Sequence, residues 1–153
     1  MSKIDTKNTG RLTNNQIELC MIANPDYLCV VRTTVRQTAV VFGFQEDTVE
    51  SITLAVVEAI TNIIRHGYGG PCDEYIIVGL NKICDSKENK PAIEIVIRDF
   101  GKQVDTDKIK SRDLDELRPG GVGVHIIHSV MDEVEFSRVG DCGMKLRMVK
   151  AII

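Results

Sequence analysis

The stretch 74-EYIIVGLNKICDSKENKPAIEIVIRD-99 decides the fold of this chain. Its first part, Glu74 to Ile83, and its last part, Ala92 to Asp99, are rich in β-branched residues, and such runs are typical of strands. The segment between them, Cys84 to Lys90, is polar and predicts a turn. Because two strands joined by a short turn pair in antiparallel fashion, the stretch predicts a β-hairpin.

Further elements are expected on both sides of this hairpin. We predict a strand over Gln16 to Ala23, helices over about Tyr27 to Phe42, Glu46 to His66-Gly67 and Val124 to Met131, and strands near Glu133 to Arg138 and Met144 to Val149. Asn24-Pro25-Asp26 predicts a turn and a helix start, and Gly67 a helix cap. A short helical pattern over Asp107 to Leu117 falls within a charged stretch.

The predicted order is β-α-α-β-β-loop-α-β-β. Strands at hairpin spacing are more frequent than helix crossovers, which favours an α+β two-layer sandwich with a mixed, mostly antiparallel sheet and helices packed on one face. The chain contains no internal repeat and no linker rich in Pro, Ser or Gly. We therefore expect a loose polar arm over residues 1–14 and a single domain over residues 15–153.

The composition is that of an ordinary globular protein. The chain has 153 residues and a mass of 17.0 kDa, with 43% hydrophobic and 27% charged residues and a net charge of −3. Without a basic surplus there is no electrostatic footprint for duplex DNA or RNA. No run approaches the roughly 18 apolar residues of a membrane helix, and no signal peptide is apparent. We expect a cytoplasmic protein with no direct nucleic-acid contact and no membrane partner.

The five cysteines suggest neither a disulfide framework nor a metal site. Their number is odd, no CxxC pair occurs, and their spacings fit no zinc site. Since free cysteine is often buried, we interpret all five as small apolar fillers of the core.

Asp99 and Gly101 form the first candidate site. Period-2 geometry puts Asp99 on the same side of its strand as Ile93, Ile95 and Ile97. A carboxylate on this apolar side needs a partner, and Gly101 lets a flat ligand approach the backbone. Asp99 is a candidate acceptor for a ligand N–H group, such as the exocyclic amine of a purine. The alternative is a turn in which Asp99 bonds only local amides.

The glycine-rich segment Gly120-Gly121-Val122-Gly123 comes directly before a predicted helix. Glycines in this position expose backbone N–H groups at the positive end of the helix, which is a suitable cradle for a phosphate. The Walker pattern is absent, so a phosphate site here is of another type. The alternative is a flexible hinge or a simple loop.

Glu58 and Asn62 lie four residues apart, on one face of the second predicted helix, together with Arg65. The amide oxygen of Asn62 suits Mg²⁺, and Glu58 would then be a general base beside a metal-bound phosphate. The alternative is a solvated polar face.

The order of these segments resembles the three sequence boxes of the Bergerat-fold (GHKL) ATPases. The run 54-LAVVEAITN-62, continuing to His66-Gly67-Tyr68, resembles their asparagine box. Asp99-x-Gly101, continuing to Val104-Asp105, resembles the first glycine box, and Arg118 to Gly123 the second. Within this superfamily the sequence most resembles the small anti-sigma-factor serine kinases of bacterial partner-switching systems. The resemblance covers about residues 15 to 150.

The resemblance implies ATP and Mg²⁺ as cofactors and a role for each matched residue. Asn62 would coordinate Mg²⁺, and Glu58 would activate the attacking hydroxyl. Asp99 would bond the adenine amine, with Gly101 allowing close approach and Val104 packing near the base. The remaining binding candidates are Arg65, Gly120, Gly121, Val122 and Gly123, of which Gly121 and Gly123 would bind phosphates through their amides.

Two departures from the family pattern fall at the adenine end. Met144 and Lys145 stand where the family commonly has a threonine, and Phe100 replaces a more usual polar residue. Neither change affects Glu58 or Asn62.

The resemblance implies a protein serine/threonine kinase that is also an anti-sigma factor. Its partners would be a STAS-domain anti-anti-sigma protein, which it phosphorylates with Mg-ATP, and a sigma factor, and it is expected to form a homodimer. Two alternatives stay open. One is a non-catalytic ATP-binding module that switches between partners, and the other is an α+β interaction protein with no nucleotide site.

Overall fold

The computed structural model describes residues 15–105 and 121–153. The predicted polar arm over residues 1–14, the short helical pattern over Asp107 to Leu117, and Gly120 lie outside the described residues.

The described residues form five strands and three α-helices in the predicted order. They are β1 (Ile17–Ile22), α1 (Leu28–Phe42), α2 (Glu46–Asn62), β2 (Tyr75–Asp85), β3 (Lys90–Asp99), α3 (Gly121–Val130), β4 (Glu133–Arg138) and β5 (Met144–Ala151). A short 3-10 turn, Pro25–Tyr27, precedes α1, and a π-helical turn, Ile63–Gly67, follows α2.

The strands form one sheet in the order β1-β2-β3-β5-β4. All four pairings are antiparallel, so the sheet contains no parallel pair within the described residues. The hairpin of β2 and β3 pairs Ile76 with Asp99 at its open end. On the other side of β3, Ile97 pairs with Leu146 of β5. Asp99 therefore lies at the end of the central strand, flanked by β2 and β5.

The helices cover one face of this sheet and enclose the main core. Ile93, Ile95 and Ile97 of β3 are at most 1% exposed, and Asp99 on the same side is 4% exposed. The helices contribute a buried apolar stripe that includes Val31, Val35, Val49, Ile52, Val56, Ile60 and Ile127. The prediction of an α+β two-layer sandwich is confirmed, and the alternation of β3 places Asp99 under the helical layer as predicted.

The ends of α1 follow from local chemistry. The side chain of Asn24 accepts a hydrogen bond from the backbone N–H of Asp26 at 2.9 Å and caps the 3-10 turn that leads into the helix. The helix ends at Gly43, whose φ of 105° lies in the left-handed region that favours glycine.

The end of α2 differs from the prediction. Gly67 does not cap the helix in a left-handed conformation; instead the helix widens into the π turn, which closes with a 2.9 Å hydrogen bond from the N–H of Tyr68 to the carbonyl of Ile63. The positive φ values fall on Gly69 and Gly70. The extra residue of a π turn shifts the backbone that follows, and such turns are frequent at functional sites.

The prediction that the cysteines fill the core is wrong. Cys20, Cys29, Cys84 and Cys142 are exposed and Cys72 is half-buried, and all five are free thiols. The core positions are occupied instead by isoleucine, valine, leucine and alanine. Cys20 lies on the β1 face turned away from the helices, which the alternation of this strand requires.

Candidate functional site

Helix α2 presents Glu58 and Asn62 to the start of α3. Both side chains are half-buried. A Cβ atom built on Gly123, in the first turn of α3, would lie 2.8 Å from Oε2 of Glu58 and 3.0 Å from Nδ2 of Asn62. The two segments are therefore in direct contact, and this part of the α2 face is not simply solvated.

The start of α3 offers backbone donors at this contact. The helix begins at Gly121, and the first N–H groups of any helix have no carbonyl partner within the helix. The helix dipole adds a partial positive charge at the same end. A carboxylate, an amide and the N-terminal N–H groups of a helix thus meet in one place, which suits an anionic ligand that is partly neutralised by a cation.

Asp99 forms a second polar centre at the end of β3. Its Oδ1 accepts hydrogen bonds from the N–H of Gly101 at 2.9 Å and of Met144 at 3.3 Å. In residues 15–105 and 121–153 both donors bind this one oxygen, which leaves Oδ2 for a ligand donor. Burial raises the pKa of the Asp99 carboxyl above its ordinary value, against the lowering effect of the two amides and of Arg98.

The segment after Asp99 packs against the end of the α2 region. A Cβ atom on Gly101 would lie 2.7 Å from the carbonyl oxygen of Gly67, and the N–H of Lys102 donates to that same carbonyl at 3.2 Å. The hydroxyl of Tyr68 accepts from the N–H of Phe100 at 2.8 Å and donates to the carbonyl of Tyr75 at 2.6 Å. Gly101 therefore permits a close backbone approach that no residue with a side chain would allow.

The turn between β4 and β5 closes the site from the other side. The N–H of Gly143 donates to the carbonyl of Gly101 at 2.8 Å. Gly143 has a φ of 83°, and a Cβ atom there would overlap the carbonyl oxygen of Asp99. Both constraints require glycine at this position.

The structure brings most of the predicted residues into two neighbouring groups. Glu58, Asn62, Gly121 and Gly123 meet at the start of α3, and Asp99 and Gly101 meet at the end of β3. Within the described residues, the start of α3 thus lies against the Glu58–Asn62 face of α2. Gly101 lies against the backbone of Gly67, which continues from α2.

Three predicted residues are less well defined by contacts. Arg65 is exposed in the π turn and makes no hydrogen bond or ion pair with the other described site residues. Val104 is 38% exposed, and its carbonyl accepts from Nε of Arg138 at 3.3 Å. Val122 lies in the first turn of α3.

Four residues with clear structural roles were not assigned one from the sequence: Tyr68, Arg98, Gln103 and Gly143. Gly143 belongs to a turn whose glycine pair could have suggested positive φ values. Each of the other three makes at least one hydrogen bond to a backbone group that is distant in sequence, and no local pattern predicts such bonds.

An apolar groove of about 400 Å³ lies elsewhere, between β1 and α1. Its lining includes Leu19, Met21, Tyr27, Val30 and Val31, and none of the predicted site residues contributes to it. The groove is therefore separate from the polar site.

The donor set at Glu58 and Asn62 fits a magnesium-bound phosphate. Amide and carboxylate oxygens are the ligands that Mg²⁺ prefers, and the ion usually takes its other ligands from phosphate and water. In the part of the chain that the structure describes, no three His, Cys, Asp or Glu side chains are grouped to hold a metal alone. A phosphate-bearing ligand would supply the missing ligands.

A protein-family comparison identifies the family of this domain. The family described as the histidine kinase-like ATPase domain matches residues 21–150 of this chain. The chain belongs to this family. The predicted resemblance to the Bergerat-fold (GHKL) ATPases is confirmed at the level of the family.

Two curated relatives that align with this chain over most of their length share one name, serine-protein kinase RsbW. The chain is 33% identical over 144 residues to the serine-protein kinase RsbW of Oceanobacillus iheyensis, an alignment covering 89% of this chain and 86% of that protein. It is 31% identical over 148 residues to the serine-protein kinase RsbW of Staphylococcus epidermidis, covering 92% and 89%.

Solved structures share the architecture. A chain of the SiaB–SiaC complex from Pseudomonas aeruginosa matches with a TM-score of 0.63 at 13% identity, covering 89% of this chain and 91% of that chain. The RsbU and RsbW domains of a Mycobacterium tuberculosis protein match with a TM-score of 0.58 at 14% identity, covering 89% and 32%. At these identities the likeness concerns the fold alone. Among the described helices, none has the length and apolar character needed to cross a membrane.

Proposed function

We propose that this protein is an anti-sigma factor and a protein serine/threonine kinase that uses Mg-ATP to phosphorylate a STAS-type anti-anti-sigma antagonist. The observation that carries the proposal is the contact of Glu58 and Asn62 with Gly123 at the start of α3. Further support comes from relatives named as serine-protein kinases that align over most of their length.

The adenine end of ATP would bind at Asp99. Oδ1 already accepts hydrogen bonds from the N–H groups of Gly101 and Met144, and Oδ2 would accept a hydrogen bond from the exocyclic amine. Gly101 leaves room for the flat base, and Val104 would pack beside it. This assignment uses the ordinary pairing of a carboxylate acceptor with an amine donor.

The phosphate end would bind at the start of α3. The backbone N–H groups of Gly121 and Gly123, in the first turn of α3, would donate to phosphate oxygens, and the helix dipole would favour the negative charge of these oxygens. Gly120, Val122 and Arg65 belong to this proposal as flanking binding residues.

Glu58 would act as the general base. Its carboxylate stands beside Gly123, where the transferred phosphoryl group would lie, and would accept the proton of the attacking serine or threonine hydroxyl. Phosphoryl transfer depends chiefly on positioning and on electrostatic stabilisation, which the fixed amides of α3 would provide without reorganisation.

Asn62 is the residue of this chain that would hold Mg²⁺, through its amide oxygen. When bound there, Mg²⁺ would supply positive charge that offsets the negative charge of the phosphates. The half-buried position of Asn62 beside Glu58 and Gly123 fits this role.

The proposal extends to partners that the site alone does not identify. They are the STAS-domain antagonist, a sigma factor bound in the alternative state, and a second copy of the chain in a homodimer. It also includes a cytoplasmic location, where ATP and sigma factors are found.

The decisive experiment incubates the protein with Mg-ATP and a STAS-domain protein from the same organism and measures phosphorylation by mass spectrometry. We expect a single added phosphate on a serine or threonine of the STAS protein. ATP binding without phosphate transfer to any STAS protein of the organism would favour the non-catalytic switch module. If neither phosphate transfer nor a rise in melting temperature with Mg-ATP is observed, there is no nucleotide site, because a ligand of the folded state stabilises it.

A further inference from the structure

Arg98 is a buried arginine on the far side of the sheet from the nucleotide site. Because side chains alternate along β3, Asp99 faces the helices and Arg98 faces the opposite side. Arg98 is only 7% exposed, and none of the ion pairs among residues 15–105 and 121–153 includes it. A buried charge is costly unless it is well partnered, so its partners indicate what it does.

Among the described residues, the side-chain partners of Arg98 belong to the two segments that surround Asp99. Its Nη1 donates to the carbonyl oxygen of Asp99, and its Nη2 donates to the carbonyl of Cys142 at 3.3 Å. The guanidinium carbon lies 4.5 Å from the ring centroid of Phe100. The guanidinium therefore ties the end of β3 to the turn between β4 and β5.

Gln103, which follows Asp99 in the chain, also connects this segment to the turn between β4 and β5. Its Nε2 lies 3.0 Å from the carbonyl oxygen of Gly140 and 3.3–3.4 Å from those of Gly143 and Val139. Two side chains, one before and one after Asp99, thus hold one turn. We call Arg98 and Gln103 together the turn clamp.

The position of this turn determines how Asp99 is oriented. One of the two N–H groups that bind Oδ1 of Asp99 belongs to Met144, the first residue of β5 after the turn. If the turn moves, this donor moves with it, and the carboxylate loses one of the two contacts that aim Oδ2.

We propose that Arg98 is a positioning residue for the recognition of the 6-amino group of adenine, acting with Gln103 through the turn and Asp99. The inference rests on the proposed binding of ATP. Arg98 itself would not touch the nucleotide, and it would leave the phosphate end at Glu58 unchanged. Selectivity for adenine is thus set in part from the opposite face of the sheet.

The test compares Arg98→Met with the wild-type protein by calorimetric titration of two nucleotides. One is ATP, and the other is purine riboside triphosphate, which lacks the 6-amino group. We expect ATP to bind about tenfold more weakly to Arg98→Met, the usual scale for a charged hydrogen bond. The amine-free analogue is expected to bind both proteins within twofold, because it makes no bond to Asp99.

Kinetics and rescue separate positioning from a general structural effect. The bond to the adenine amine would stabilise the ground state and the transition state equally. Weakening it should therefore raise KM for ATP while kcat at saturating ATP stays within twofold. Arg98→Lys keeps the charge and one donor, and is expected to recover part of the ATP affinity. Arg147→Met is the matched control, since Arg147 lies on the same sheet face but pairs with Glu94 and Glu133.

Equal losses for ATP and the amine-free analogue, or a lower kcat with unchanged KM, would overturn the inference. Gln103→Leu tests the clamp independently if Arg98→Met does not fold; it should weaken ATP binding severalfold and spare the analogue, and unchanged ATP binding would contradict us. A wild-type protein that binds no ATP would refute the proposed function itself. Binding without phosphoryl transfer would refute only its kinase step, and the comparison of the two nucleotides would still apply.

Discussion

Gly123 lies directly against Glu58: a Cβ atom at position 123 would come within 2.8 Å of the carboxylate oxygen Oε2. Asn62 is almost equally close, at 3.0 Å. Real Cβ atoms essentially never lie within 3.0 Å of another heavy atom, so a side chain at position 123 would force the end of the Glu58 side chain to move and that of Asn62 to shift slightly.

Replacing Gly123 with alanine should therefore disable the site while the fold is kept. The added methyl group would displace the side chains of Glu58 and Asn62, and we expect Mg-ATP binding to weaken at least tenfold. Calorimetry measures the affinity, and circular dichroism checks the fold. Gly67→Ala is the control, because its Cβ would lie 3.7 Å from Cγ2 of Ile63, an ordinary contact. Normal ATP affinity in Gly123→Ala would show that the ligand binds elsewhere.

Glu58→Gln should separate chemistry from binding. Glutamine has nearly the same shape but cannot accept the hydroxyl proton as a base, so the transfer rate should fall by about 10²-fold or more while ATP affinity stays similar. Single-turnover transfer to the STAS protein measures the rate. Glu46→Gln, an exposed glutamate of the same helix that pairs with Arg36, serves as the control. A normal rate in Glu58→Gln would exclude it as the base.

Much of the fold follows from local patterns. The observed bounds of β4 coincide with the predicted Glu133 to Arg138, and α1 begins one residue after the predicted Tyr27. Alternation along β3 correctly places Asp99 on the buried side. These features succeed because strand and helix periods are properties of consecutive residues.

The remaining features depend on contacts between distant segments. The bonds of Tyr68 to Phe100 and of Gln103 to the β4–β5 turn join backbone groups that no periodic pattern relates. The π turn after α2 and the exposed Cys20 contradict expectations based on average behaviour of glycine and cysteine. Tertiary packing decides such positions, and composition does not.

Magnesium dependence should distinguish the role of Asn62 from that of its neighbours. If its amide oxygen holds Mg²⁺, wild-type affinity for ATP should fall when EDTA removes the metal, whereas Asn62→Ala should bind ATP weakly with or without Mg²⁺. Titrations in both conditions measure this coupling. Thr61→Ala is the control, because Thr61 is the adjacent helical residue and its hydroxyl donates to the backbone carbonyl of Val57. An Asn62→Ala protein that retains full Mg-dependent affinity would rule out the metal role.

Tyr68→Phe should destabilise the protein through two backbone groups. The hydroxyl links the carbonyl of Tyr75 to the N–H of Phe100, and its removal leaves both without this partner. We expect a loss of about 1–3 kcal/mol in the free energy of unfolding, measured by urea denaturation. Tyr27→Phe, at an exposed tyrosine, should change stability little. An equal effect in both variants would mean that the Tyr68 bonds contribute no stability.

Asp99→Asn should abolish nucleotide binding and should stabilise the protein by an amount that depends on pH. Burial raises the pKa of Asp99 above 3.8, so the native state holds this proton more tightly than the unfolded chain does. The free energy of unfolding therefore falls as pH rises from 3.8 through the raised pKa, and the penalty is complete above it. The variant keeps an oxygen for Gly101 and Met144 but carries no charge.

At neutral pH we therefore expect Asp99→Asn without nucleotide to be more stable than the wild type and to melt at a higher temperature. The difference should shrink as pH falls toward 3.8. ATP binding should be lost, because the variant's NH₂ group would face the adenine amine, whereas Asp141→Asn, in the exposed turn, should bind ATP normally. Thermal unfolding across pH and calorimetry provide the measurements. A stability difference that does not change with pH would show that the buried charge is not its cause.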